Sequence, residues 1–172
     1  MIEENKLNDI LRRKTIECGL CLQWQREWRE NWNADKMASQ FYRGIDFFLM
    51  KRYISLDEIN EFFDKKWLRE NGILANDKYS LLNPEHAILL GNSKSTLRFN
   101  AMNVADVYVV DDSWAKVIVK DRAFVLIHVL GKAQIDVKLY GHATCTVLNH
   151  SRESVINADE SVKVKEDMNY LK

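Results

Sequence analysis

The chain has 172 residues, 47% hydrophobic and 29% charged, which is the composition of a globular protein rather than a disordered one. Its 25 basic and 25 acidic residues cancel, and each half is balanced too, with 13 of each sign in 1–72 and 12 of each in 73–172, so neither half has the positive excess of a polyanion binder. Met1 to Lys14 is too polar for a secretion signal, no run suits a membrane span, and three cysteines cannot build a disulfide framework, which together imply a soluble, cytoplasmic protein.

Residues 1–72 contain no valine and 11 aromatics, whereas 73–172 contain 13 valines and 7 aromatics. β-branched residues suit a pleated surface and are mildly disfavoured in helices, so the structural class changes near Gly72. The expected organisation is a helical domain over 1–72 and a β-repeat domain over 73–172, a segregated α+β fold.

Three helices are expected in the first part. Over 7–32, Cys21, Trp24, Trp28 and Trp32 recur at helical spacing and define one stripe. Asn33 can cap a second helix carrying Met37, Phe41, Ile45, Phe48 and Leu49 and ending near Tyr53. Ser55-Leu56-Asp57-Glu58 matches a capping box for a third, with Ile59, Phe62, Phe63, Trp67 and Leu68 as its apolar stripe. Gly72 suits the left-handed position beyond a helix end.

From about residue 85 the period changes to two. Apolar or small residues occupy odd positions from Ala105 to Val147, broken by turn residues such as Asp111-Asp112-Ser113, Asp121-Arg122, Gly131-Lys132 and Gly141-His142. Ala105, Ala115, Ala123, Ala133 and Ala143 each lead a unit, at spacings of ten, eight, ten and ten. Self-similarity with weaker copies at both ends predicts a short β-solenoid, with two strands and about twenty residues per rung. An antiparallel meander or sandwich is the alternative reading.

In a solenoid, alternate units share a face. Asp106, Tyr108, Phe124, Leu126, His128, Thr144, Thr146 and Leu148 would then point outward from one face, and Lys116, Ile118, Gln134, Asp136 and Lys138 from the other. The first face is the more apolar, and Tyr108, Phe124, Leu126 and Leu148 are its candidate interaction residues. Trp114, His128 and Tyr140 are candidates to line a pocket in a crease between the two domains.

Catalytic and metal signals are weak. Cys18-Gly19-Leu20-Cys21 has redox or half-zinc spacing but lies in a helical context, and the one matching pair, His142 with Cys145, points to opposite sides of a strand, so the two cysteines read as residues on a buried helical face. The tryptophan stripe with Arg26 and Arg29 reads as core packing rather than base stacking. The aspartates are scattered over turns, the four histidines show no metal spacing, and there is no phosphate loop or nucleophile motif, so neither an enzyme nor a cofactor is expected.

Cys18-Gly19-Leu20-Cys21, Gln23-Trp24, Tyr42-Arg43-Gly44-Ile45-Asp46-Phe47, Phe63-Asp64-Lys65 and Asn71-Gly72-Ile73, followed by alanine-led strands, resemble a family of uncharacterised prophage and mobile-element proteins of gut anaerobes. The strand-rich part resembles, in pattern only, small β-helical domains of bacterial envelope and phage proteins. The resemblance implies a non-catalytic accessory protein that binds a host protein or itself, as a host-factor or defence inhibitor or a virion component. The alternative is a binder or processor of a small molecule or glycan in the crease; nucleic acid and membrane are not the expected partners.

Overall fold

The computed structural model describes residues 4–28 and 32–171. The chain divides into two compact units, one reaching Lys65 and the other running from Lys66 to Tyr170.

The first unit contains more and shorter helices than its periodicity suggests: α1 (Glu4–Glu17), α2 (Leu22–Glu27), α3 (Ala34–Arg43), α4 (Ile45–Lys51) and α5 (Leu56–Phe62), with α6 (Lys65–Glu70) following. Each expected long helix is broken by an identifiable device. Gly19 takes φ +91° and ends α1, the Leu20 amide returning to Thr15 O at 2.9 Å. Trp28 caps α2 in extended conformation, so the tryptophans do not form the expected stripe of one helix. Trp28 and Trp32 stack instead across the chain between α2 and α3, at 4.9 Å and 15°. Arg29 lies outside the described residues.

Gly44 separates α3 from α4, and a Cβ there would lie 3.0 Å from the Trp24 ring. Any side chain there would crowd the indole, which would have to give by a few tenths of an ångström. The Ser55 capping box forms as expected, and α5 then ends at Phe63, which is extended. Phe48, fully buried, meets Phe41 and Tyr53 edge-on. The cysteines depart from the buried helical face expected of them: they flank the turn after α1, Cys18 half-buried and Cys21 exposed, because Gly19 ends the helix between them.

The second unit is the solenoid. After α6 come β1 (Ile73–Ala75), β2 (Leu81–Leu82), β3 (His86–Leu90), β4 (Lys94–Phe99), β5 (Val104–Val109), β6 (Trp114–Val119), β7 (Phe124–Val129), β8 (Gln134–Leu139), β9 (Thr144–Asn149), β10 (Val155–Ala158) and β11 (Lys163–Glu166). The odd-numbered strands form one sheet, β1-β3-β5-β7-β9-β11, which we call sheet A, and the even-numbered strands form sheet B, β10-β8-β6-β4-β2. Strand pairs are parallel, with partners such as Val104 and Phe124 twenty residues apart. This excludes the antiparallel meander or sandwich, whose neighbouring strands would be consecutive in the chain.

Strand starts from β4 to β9 fall every ten residues, and their odd positions form the core between the sheets, with Val107, Val117, Val125, Ile127, Val137 and Val147 all fully buried. The alanines that suggested the repeat turn out to hold two different positions. Ala105 and Ala115 are second residues of strands, while Ala123, Ala133 and Ala143 are the last residues of corners, which accounts for the irregular spacing of eight. Corners carry a left-handed residue at one fixed place, filled by Gly91, Ala101, Asp111, Asp121, Gly131 and Gly141. The carboxylates of Asp111 and Asp121 accept from the amides of Gly91 and Ala101 one rung earlier, each at 2.9 Å, so they stitch corner to corner. At the start of the array, Arg69 of α6 grips Asp77 through two bonds of 2.8 and 3.0 Å.

Candidate interaction face and histidine ladder

Register defines three rows on the outer side of sheet A. The first is Val104, Phe124 and Thr144; the second His86, Asp106, Leu126, Thr146 and Lys163; the third Ile88, Tyr108, His128, Leu148 and Lys165. The outward residues named from the sequence do share this face, but the rows differ in accessibility. Val104 and Phe124 are 65% and 42% exposed and Leu126 is half-buried, whereas Tyr108 and His128 are only 6% and 7% exposed. Leu148 is half-buried. Tyr108 is therefore not an accessible interaction residue, since its ring is used within the fold.

That use is a stack of four rings. Tyr108 lies on His128 at 4.5 Å, His128 on His150 at 5.2 Å, and His150 on Tyr170 at 4.1 Å. The Tyr108 hydroxyl donates to Asp106 Oδ2 at 3.3 Å. Asp106 Oδ1, buried and without a hydrogen bond, faces His128 Nε2 at 3.5 Å. His128 Nδ1 meets His150 Nε2 at 3.0 Å, and His150 Nδ1 lies 2.8 Å from the Asp167 carbonyl oxygen and 3.7 Å from its carboxylate.

The partners fix the protons. A carbonyl can only accept, so His150 Nδ1 carries hydrogen. With both rings neutral, His150 Nε2 must accept from His128 Nδ1, which leaves His128 Nε2 bare against a carboxylate. The ladder fastens the segment after β11 to sheet A. Rings cover the histidine faces, so a substrate would have to unstack the ladder to reach them.

The proposed crease residues do not converge. Trp114 points outward from sheet B beside Lys94 and Gln134, His128 points outward from sheet A, and Tyr140 is exposed in the corner after β8 with Lys120 Nζ 5.3 Å from its ring centroid. The outer side of sheet B is mixed, with a polar row of Thr96, Lys116, Asp136 and Asn157 and, in the flanking rows, the exposed Leu82 and Val155. A shallow groove of about 460 Å³ lies at the corners, between Met102, Arg122 and His142. Met102, 77% exposed, adjoins the Val104 row in sequence.

Burial pushes the Cys145 thiol up to about 12, which keeps it protonated and disfavours both metal ligation and nucleophilic chemistry. Among the described residues, no group of three or more His, Cys, Asp or Glu is arranged to hold a metal ion, and no helix is long and apolar enough to cross a membrane.

Sequence reasoning missed His150, Asp167 and Tyr170. His150 follows His128 by 22 residues, one rung plus a two-residue offset that carries it past the strand end, and only the ring stack makes that offset meaningful. Tyr170 lies beyond β11, outside the alternating pattern of the strands. Comparison with known proteins found no matching family, no matching curated protein and no matching solved structure.

Proposed function

We propose that this chain is a non-enzymatic interaction module that binds a protein partner through the outer face of sheet A, acting in the cytoplasm as an accessory protein of a phage or mobile element. The partner is a host protein or a second copy of the chain. The observation that carries this reading is the exposed row of Val104 and Phe124, flanked by Met102 and Leu126, on a sheet whose backbone is locked between parallel neighbours. A pre-ordered apolar row loses little entropy when covered, which is how a few residues come to dominate an interface. Covering the exposed parts of Val104 and Phe124 is worth about 2 kcal/mol together, or roughly thirtyfold in affinity.

The test is affinity capture from the natural host cell with the full chain, comparing wild type with the Val104→Lys/Phe124→Lys variant. Both side chains point away from the core, so the variant is expected to fold, which its circular dichroism and melting curve check. A protein retained by wild type and lost with the variant supports the reading. Equal retention by both contradicts it. Light scattering covers self-association, since a clean monomer removes that version.

A further inference from the structure

The two ends of the solenoid are finished differently. At the first rung, all three residues of β1 are buried and α6 is tied to the following turn through Arg69 and Asp77. At the last rung, β11 is the outer strand of sheet A and all four of its residues are exposed. Val164 stands in register with the core residue Val147, which is fully buried, yet Val164 is 46% exposed. Among the described residues no strand pairs with the outer side of β11.

The open edge also has a directional hydrogen-bonding pattern. The Asp167 amide bonds back to Asn149 O, so by strand alternation the amides of Lys163 and Lys165 turn to β9 and those of Val164 and Glu166 turn to the open side. Lys163 and Lys165 flank Val164 on the outer face, in register with Thr146 and Leu148.

Charge narrows what can pair there. If two copies joined edge to edge in antiparallel fashion with their faces aligned, the three central registers would set Lys163 opposite Lys163, Lys163 opposite Lys165, or Lys165 opposite Lys165. Like charges directly opposite destabilise a pair, and edge lysines are a known device against self-pairing. The same lysines attract a strand with acidic residues opposite them, and Val164 calls for an apolar residue between. We propose that β11 is a strand-addition site for an extended segment of a partner protein that alternates acidic and apolar residues. This edge is a different surface from the Val104 and Phe124 row, so either can be occupied if the other is not.

The test uses the full chain and two capped eight-residue peptides of identical composition, one alternating glutamate and valine, the other with its glutamates contiguous. In calorimetric titration at low salt, the alternating peptide is expected to bind at least tenfold more tightly than the rearranged one, and to weaken as salt rises. The Lys163→Glu/Lys165→Glu variant should lose at least tenfold for the alternating peptide. Amide exchange should slow at Val164 and Glu166 and stay unchanged at Lys163 and Lys165. Absence of binding, equal binding of the two peptides, or protection confined to sheet B would overturn the proposal. The peptide-order comparison needs only wild-type protein, so the result stands even if the double variant fails to fold.

Discussion

Single residues at the corners carry backbone constraints that the rest of the repeat depends on. Gly131 has φ +68°, and a Cβ there would lie 3.2 Å from backbone atoms of Asp111 in the corner one rung earlier. Gly131→Ala therefore meets both left-handed strain and a neighbour that cannot give way, and is expected to cost about 1–2 kcal/mol, read as a lowered melting midpoint. Ala101 holds the equivalent place at φ 55° without glycine. Ala101→Gly trades relief of strain against a more flexible unfolded chain and should change stability by less than about 0.5 kcal/mol. A large loss there would refute the view that these corners share one geometry. At this scale the sequence was readable where the signal is local: the Ser55 capping box and the left-handed Gly72 both follow from the two or three residues around them. The Asp111 and Asp121 bonds were not, because their partners sit a full rung away.

Elements repeat that contrast. The strands were legible because alternation is a property of each strand alone, and a ten-residue recurrence over β4 to β9 survives counting. Helix number was not, because apolar spacing runs straight through Gly19 and Gly44 while the backbone turns there. The break at Gly44 serves packing against Trp24, which a pattern of letters does not contain. Within the helical unit, the start of α5 is joined to α1 by Lys14 and Glu58 at 2.7 Å. Lys14 first, then the Ser55 amide, holds the Glu58 carboxyl below the usual carboxylate range. A carboxyl with a depressed folded pKa contributes stability above its unfolded value and loses it as pH falls through the folded one. The stability gap between wild type and Glu58→Gln should thus be full at neutral pH and close as pH drops below about 4.3. A gap that persists in acid would show that the ion pair and cap are not its source.

The ladder on sheet A gives a second test at the scale of elements. Tyr170 ends the stack, His150 meets the Asp167 carbonyl and the Asp167 amide bonds back to Asn149 O, so rings and backbone bonds hold the segment after β11. Tyr170→Ala should speed amide exchange over residues 167–170 and cost about 1 kcal/mol, while Tyr170→Phe keeps the ring and should leave both near wild type. Equal effects from the two variants would mean that stacking is not what fastens the segment.

For the molecule as a whole, the architecture divides labour by residue parity. From β3 to β9 the odd positions are taken up by the core, and among the outward rows of sheet A the one around His128 is sealed and the one around Phe124 accessible. The alternation foretold which residues face outward, and Phe124 and Leu126 were found that way. It could not foretell that Tyr108 would be buried by a stack drawing on His150 and Tyr170, since those residues arrive from a corner and from beyond the repeat. The accessible row is the proposed seat of a partner. Hydroxyl-radical footprinting of the full chain, alone and with the protein it retains, reads this directly through oxidation of Met102 and Phe124. Bound partner is expected to reduce oxidation at both residues and to leave Trp114 and Tyr140 unchanged; protection of Trp114 or Tyr140 with Met102 and Phe124 still fully reactive would contradict the account.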